Sequence, residues 1–346
     1  MSCCDENTAR VPNTDVSRRS LLKGASILGT VVPSLRPKQA AAQGKKIQLA
    51  FCSQLLCVIP YEVARTGGHF RQHGLEVELI YTRGGNAAMQ ALVGGAVDYA
   101  GTSLDVAMQA YAKGAEIRRF ATTGRLPLFA LATAPKTAAS IRTVKDLQGK
   151  TVGVSALGNA DHALLLFLLK QANADAAKVQ FATLGVNLLE ALRQGQVDAG
   201  LVQEPALTLL QRSGGRVLVN AMDTADAQKY LGGSYEFMGV AVRSKEFEAR
   251  RGEMGELAKG LADGLKAMRQ MKPADIAAAL PRELTTGMDS ALLGDIIVRY
   301  RESLYPDNVK IDLESSKRVA ESLKIGGLLK ADADVRGLHD TSIVGS

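Results

Sequence analysis

One segment of this chain occurs twice, about a hundred positions apart, and it limits the folds that the chain can adopt. Residues 84–103, GGNAAMQALVGGAVDYAGTS, resemble residues 185–204, GVNLLEALRQGQVDAGLVQE. Each copy is typical of a helix that starts at glycine, a glycine that stops it and a short strand beginning Val-Asp, which is a βαβ unit of a parallel sheet. Two similar α/β halves are therefore predicted. The identical pairs are Gly85 and Gly185, Ala91 and Ala191, Leu92 and Leu192, Gly95 and Gly195, Val97 and Val197, and Asp98 and Asp198.

Ligand-binding groups are expected where the strands of each half end. In open α/β sheets a ligand lies outside the carboxyl ends of the strands, near helix N-termini that offer N–H groups without acceptors. The loops at 82–86, 101–103 and 200–204 follow predicted strands. Two lobes that face each other with such loops form a cleft, and this cleft is the predicted site.

Composition excludes some classes of protein. With 346 residues and 46% hydrophobic content, the chain is long enough for two domains with cores of their own. The net charge of +7 is not gathered into a basic run with interleaved aromatic residues, so no nucleic-acid partner is predicted. Cys52 and Cys57 follow two cysteines near the N-terminus, and they fit either a disulfide or two small buried side chains.

The N-terminus is typical of an export signal. Residues 17–23, SRRSLLK, resemble the twin-arginine motif, and an apolar run at 24–35 and the small residues Ala40, Ala41 and Ala42 follow it. A signal peptide at 1–42 and a periplasmic location are therefore predicted. The alternative is an ordinary amphipathic N-terminal helix. The apolar run is too short to span a bilayer.

Taken in order, the chain predicts a discontinuous first lobe and an inserted second lobe. Lobe 1 is expected at 43–125 and 245–346, and lobe 2 at 126–244. A helix is expected to begin near Pro60, because a helix start tolerates proline. A strand at 235–242 should return to the first lobe, and a mainly helical region should follow it.

Six short segments carry a family resemblance that extends over residues 47–247. They are Gly68-His69-Phe70, GLEVEL at 74–79, Gly84-Gly85, DLQGKTVGV at 146–154, QVDA at 196–199 and Glu204-Pro205. The chain resembles the periplasmic binding proteins of ABC importers, in the group that serves sulfonates, nitrate, taurine and thiamine pyrimidines. The resemblance implies an α/β, type II-like fold of two lobes, each a mostly parallel sheet flanked by helices, joined by two hinge crossings. It also implies a monomer without a cofactor that closes on a small ligand and delivers it to a permease and its ATPase.

The candidate ligand contacts lie at the predicted strand ends and helix starts. The glycines allow backbone N–H groups to approach an oxygen closely, and the polar side chains could bind the ligand or cap helices. A histidine in the first turn of a helix, or an arginine beside the hinge, could neutralise an anion, as could Arg83; each could also be structural. Glu204 could cap a helix or contact an amine. The full set is Gln54, Gly84, Gly85, Asn86, Thr102, Ser103, Arg125, Ser155, Asn159, His162 and Glu204.

The sequence favours a binding protein over an enzyme. His69 and His73 lack a third metal ligand, and Gly149-Lys150-Thr151 lacks the first glycine of a phosphate-binding loop, so no metal site and no catalytic set are predicted. The cysteine-rich motif of pyrimidine-forming relatives is missing. A sensory module for a membrane receptor remains open. A small anion is the first ligand hypothesis, and a neutral or cationic heterocycle is the alternative.

Overall fold

Ten strands form two separate sheets in the computed structural model, which describes residues 44–285 and 288–345. The predicted signal peptide lies outside the described residues. The strands, in chain order, are β1 (Lys45–Cys52), β2 (Leu75–Thr82), β3 (Tyr99–Ser103), β4 (Ile117–Thr122), β5 (Ala130–Thr133), β6 (Thr151–Val154), β7 (Gln180–Thr183), β8 (Ala199–Val202), β9 (Val217–Asn220) and β10 (Met238–Arg243).

The two sheets have the same topology. The first has the order β2-β1-β3-β10-β4 and the second β7-β6-β8-β5-β9. In each sheet only the fourth strand of this order, β10 or β5, runs antiparallel to its neighbours. The predicted fold class, α/β with two mostly parallel sheets, is confirmed. We call the first sheet with its helices lobe 1 and the second sheet with its helices lobe 2.

Helices cover the sheets, so the central strands are buried on both faces, as is usual for parallel sheets. The helices are α1 (Leu55–Thr66), α2 (His69–Gln72), α3 (Gly85–Val93), α4 (Leu104–Ala112), α5 (Ala160–Gln171), α6 (Leu188–Arg193), α7 (Ala206–Arg212), α8 (Thr224–Asp226), α9 (Arg251–Gln270), α10 (Pro273–Ala279), α11 (Arg282–Thr285), α12 (Ser290–Leu304) and α13 (Leu313–Ile325). Within the described ranges no helix is long and apolar enough to span a membrane.

Equivalent residues of the repeated segment make equivalent contacts in the two lobes. Asp98 accepts a hydrogen bond from the backbone N–H of Gln48 at 2.8 Å, and Asp198 accepts one from that of Thr151 at 2.9 Å. Each aspartate thereby ties the turn after a helix to the neighbouring parallel strand. Gly95 and Gly195 have φ angles of 80° and 68°, left-handed conformations that end α3 and α6. The Val-Asp pairs precede β3 and β8 rather than opening them.

One helix start differs from the sequence prediction. Helix α1 begins at Leu55, and Pro60 lies inside it rather than at its first turn. Proline has no N–H, so the carbonyl of Leu56, four residues earlier, loses its usual helical donor. The hydroxyl of Tyr305 donates to that carbonyl instead, at 2.7 Å. The contact with Tyr305 therefore allows Pro60 to lie inside the helix, although the local sequence predicts a helix start at this proline.

Two segments cross between the lobes, 123–129 and 221–237, and they hydrogen-bond to each other. The backbone N–H of Phe237 donates to Gly124 at 2.9 Å, and that of Tyr235 donates to Arg125 at 3.0 Å. The predicted end of lobe 2 at residue 244 needs correction, because β10 pairs with β3 and β4 in the first sheet.

Candidate functional site

A small cavity lies between the carboxyl ends of the strands of the two lobes. It encloses about 30 Å³, which is room for about two water-sized groups. Lobe 1 contributes the ends of β1, β2 and β3, and lobe 2 contributes the loop after β6 and the start of α5. The crossings contribute Phe129 and Phe237, and the start of β10 contributes Met238. Seven of the predicted site residues line this cavity: Gln54, Gly84, Gly85, Thr102, Ser103, Ser155 and Asn159.

Three helices begin at the cavity wall. Helix α3 begins at Gly85, α4 follows the N-cap Ser103, and α5 follows the N-cap Asn159. The first N–H groups of a helix have no acceptor within it and carry its positive dipole end. Three helix N-termini therefore meet at the cavity and can offer N–H groups and positive dipole ends to a ligand. Gly85 is required here, because a Cβ would approach the hydroxyl of Thr102 at 2.7 Å.

The loop after β6 is held by a buried carboxylate that the sequence analysis missed. The backbone N–H and the hydroxyl of Ser155 both donate to Asp161, which is 1% exposed. Burial raises the pKa of the Asp161 carboxyl, and the hydrogen bonds from Ser155 oppose that rise. Asn159 donates to the hydroxyl of Ser155 at 3.0 Å. Asp161 also lines the cavity, whose wall in the described structure contains no Lys, Arg or His.

Hydrogen bonds join the lobes around the cavity. The N–H of Asn86 donates to the side chain of Asn159 at 3.3 Å, so Asn86 acts at the junction rather than in the cavity wall. The amide of Gln109 donates to the carbonyl of Gly158 at 3.1 Å. The amide of Gln203 donates to that of Gln54. These contacts describe a closed arrangement of the lobes.

Two predicted cationic contacts do not lie in the cavity wall. Arg125 donates to the carbonyls of Glu302 and Ser303 at the end of α12, so it fastens the first crossing to that helix. The ring of His162 is 8% exposed and accepts a hydrogen bond from the Gly158 N–H at 3.2 Å through Nδ1. Burial lowers the pKa of His162, so it is a neutral group within its own helix turn. In this arrangement of the lobes, the Arg125 guanidinium is bound to carbonyls of α12, and the His162 ring accepts a hydrogen bond within its own helix turn.

Glu204 lies in a second space, a larger chamber of about 850 Å³ that adjoins the cavity through Gln54 and Ser155. Its carboxylate accepts two 3.0 Å hydrogen bonds from Thr208 and lies 3.9 Å from the guanidinium of Arg299. Burial raises the pKa of Glu204. It thus caps α7, as its sequence position allowed.

The chamber also contains two polar groups turned towards it that could meet a ligand. Arg83 is exposed there. Gln203 is 9% exposed, and its side-chain oxygen is buried without a hydrogen-bond partner. The outer chamber, rather than the cavity, therefore offers an arginine to a ligand.

Cys52 and Cys57, whose state the sequence left open, form a disulfide, and both line the cavity. Elsewhere in the described part of the chain, no three His, Cys, Asp or Glu side chains are grouped to hold a metal ion. The apolar wall residues from the crossings gave no signal in the sequence, because they reach the cavity only through the strand order.

Two sheets of this topology, facing each other across a cleft and joined by two crossings, define the periplasmic binding protein fold. Residues 57–268, more than half of the chain, match the family model described as NMT1/THI5 like, and the chain belongs to that family. No curated protein sequence matches the chain significantly.

Solved structures share the fold. A protein from Bordetella bronchiseptica RB50 is 24% identical, with a TM-score of 0.77, 87% of this chain covered and 96% of that one. The alkanesulfonate-binding protein SsuA from Xanthomonas axonopodis pv. citri, bound to MOPS, is 19% identical, with a TM-score of 0.68 and coverage of 87% and 100%. The nitrate-binding protein NrtA from Synechocystis PCC 6803 is 11% identical, with a TM-score of 0.64 and coverage of 84% and 84%.

Proposed function

We propose that this chain is the periplasmic solute-binding component of an ABC importer, which closes its lobes on a small molecule and delivers it to a permease. The family, the fold and the position of the cavity between the lobes support this proposal. Lobe closure of this kind is a shift between open and closed states that the ligand favours. The twin-arginine segment supports export of the protein in its folded state.

We further propose that the ligand carries a small oxyanion group, such as a sulfonate or nitrate. The observation behind this choice is the convergence of the first turns of α3, α4 and α5 on one cavity. N–H groups and helix dipoles offset the cost of removing an anion from water without an ionised side chain. The hydroxyl of Ser103, which accepts a hydrogen bond from the Val106 N–H, keeps its own hydrogen for a ligand and adds a further donor. The sulfonate- and nitrate-binding neighbours are consistent with this chemistry.

A neutral or cationic heterocycle, such as a thiamine pyrimidine precursor, is the second candidate. It is favoured by the aromatic wall residues Phe129 and Phe237 and by Asp161, the only ionisable carboxyl in the described cavity wall. A ring with N–H donors would turn towards that carboxyl, whereas an oxyanion would avoid it.

Binding measurements on a small set of compounds distinguish the candidates. Methanesulfonate, taurine, nitrate and an aminopyrimidine are titrated by calorimetry, with thermal shift as a screen, since a ligand at 100 times its Kd stabilises by about 2.7 kcal/mol. For an oxyanion, Ser103→Ala should weaken binding by roughly ten- to a hundredfold, the value of a hydrogen bond to a charged group, because the Ser103 hydroxyl lines the cavity and only accepts from Val106. Ser140→Ala, on the surface of lobe 2, is the matched control.

Three further variants test the assignment of charge. Arg125→Gln and His162→Phe should leave the affinity within about twofold of the parent value, because neither side chain reaches the cavity. Asp161→Asn should leave oxyanion binding unchanged or tighter and should weaken binding of a cationic ring. If only the aminopyrimidine binds, and if Asp161→Asn abolishes that binding, the ligand is a heterocycle and the oxyanion assignment is wrong. Binding of none of the four compounds would contradict both assignments.

A further inference from the structure

A disulfide forms part of the wall of the ligand cavity. Cys52 is the last residue of β1, and Cys57 lies in the first turn of α1. The two side chains are 4% and 3% exposed, and both face the cavity between the lobes. Disulfides that only staple a fold have no need to border a ligand site, so this position suggests a link between the bond and binding.

The loop that the disulfide spans also takes part in lobe closure. Gln54 lies between the two cysteines, lines both the cavity and the outer chamber, and accepts a hydrogen bond from Gln203 of lobe 2. The disulfide restrains the short connection from β1 to α1 and with it the position of Gln54. A restrained loop loses less freedom when the lobes close.

We propose that Cys52 and Cys57 are a redox-controlled site: a dithiol reductant cleaves this disulfide when the cleft is open, and the reduced protein closes less readily and binds ligand less tightly. The inference rests on the proposed function in placing the ligand in this cavity. In the reaction, one reductant thiolate attacks one cysteine sulfur and forms a mixed disulfide, and the other cysteine leaves as a thiolate that takes up a proton. The second reductant thiol then releases the first cysteine, so two electrons and two protons pass to the protein and the reductant becomes a cyclic disulfide.

Reduction should affect binding for two physical reasons. Two sulfur atoms that separate from a bond of about 2.05 Å to a non-bonded distance of roughly 3.5–4 Å need space, and the cavity holds only about 30 Å³. The loop with Gln54 also gains freedom, which weakens its hydrogen bond to Gln203. Oxidised protein should therefore bind ligand more tightly than reduced protein.

Because binding and reduction are linked, each must influence the other equally. If reduction weakens binding tenfold, a saturating ligand lowers the midpoint potential of the disulfide by about 30 mV. Closure also covers both sulfurs, so bound ligand should slow their reduction.

The first experiment uses no ligand. In the full chain with Cys3→Ser and Cys4→Ser, the rate of reduction by dithiothreitol is followed by thiol alkylation and mass spectrometry. Gln203→Ala removes the lobe 2 end of the contact with Gln54 without touching either sulfur, and it should speed reduction about two- to tenfold, the value of a neutral hydrogen bond. Gln211→Ala, an exposed glutamine on α7 of the same lobe, is the matched control and should react like the parent. Equal rates in all three proteins would overturn the proposal.

The second experiment adds methanesulfonate or nitrate and measures affinity before and after reduction, with the redox midpoint in dithiothreitol buffers. Roughly tenfold weaker binding after reduction, with the matching shift in potential, supports the proposal. Equal affinity in both states identifies the disulfide as structural only. If neither probe binds either form, the oxyanion assignment has failed, and the ligand-free rates still decide the inference.

Discussion

The contact between Tyr305 and Leu56 gives a sharp test of how the chain accommodates a proline inside α1. Leu56 is 1% exposed, so its carbonyl cannot turn to water when the Tyr305 hydroxyl is removed. A buried acceptor without a donor costs about 1–3 kcal/mol. Tyr305→Phe should therefore lower the free energy of unfolding by about that amount.

The same reasoning predicts that a second substitution, at Pro60, reduces the loss of stability caused by Tyr305→Phe. Pro60→Ala restores an N–H that can donate to the Leu56 carbonyl in the ordinary helical pattern. In that background Tyr305→Phe should cost about 1 kcal/mol less than in the parent, a positive coupling well above the scatter of about 0.3–0.5 kcal/mol between independent sites. Pro273→Ala is the control, because Pro273 stands at the start of α10, where its missing N–H leaves no acceptor unpaired.

The measurement is urea unfolding of the four proteins of the cycle and the two control proteins, followed by circular dichroism because the chain contains no Trp. An equal cost of Tyr305→Phe in the parent and in the Pro60→Ala background would refute the idea that the hydroxyl replaces the missing helical donor.

Three further predictions concern stability and export. Burial raises the pKa of Asp105 from 3.8 to about 6, so its contribution to stability is fully present below pH 3.8 and is lost as the pH rises through about 6. The free energy of unfolding of Asp105→Asn, measured in urea relative to that of the parent, should therefore increase by up to roughly 3 kcal/mol between about pH 4 and pH 8. A difference between the two proteins that stays constant with pH would contradict this. Gly239→Ala should destabilise by about 3 kcal/mol or more, because a Cβ there collides with the Ala121 carbonyl and Arg119, whereas Gly255→Ala, in open space on α9, should stabilise by about 0.5–1 kcal/mol; thermal unfolding of both checks the contrast. Replacing Arg18 and Arg19 with lysine should leave the precursor in the cytoplasm, and normal periplasmic recovery in cell fractionation would exclude the twin-arginine route.

The repeated segment carried most of what the sequence could predict of the fold. Its identical residues have local roles that spacing reveals: Gly95 and Gly195 end helices, and Asp98 and Asp198 anchor the next strand. These roles depend only on residues close in the sequence and on one adjacent strand. The same residues are therefore needed at the same spacing in both copies, and comparing the copies reveals them.

The placements that the sequence alone could not supply depend on distant contacts. Arg125 follows a strand that leads to the hinge, and only the packing of α12 shows that its guanidinium is used by the carbonyls of Glu302 and Ser303. Phe129, Phe237 and Met238 reach the cavity because each crossing inserts an antiparallel strand into the opposite sheet. Neither relation leaves a periodic pattern in the sequence.

The two copies of the repeated segment differ in the loop that precedes the helix, and this difference shapes the site. Gly84 has a φ angle of 146°, and a Cβ there would stand 3.0 Å from the side chain of Asn159 across the cleft, so glycine permits the lobes to approach at this point. In the second copy, Val186 stands in the corresponding loop and is 98% exposed, beside the wide outer chamber. At the loop before the helix, the first copy therefore lies against the opposite lobe, whereas the second copy leaves an open wall. A site that narrows at one copy and widens at the other suits a ligand with a small head at the three helix starts and a larger remainder towards Arg83.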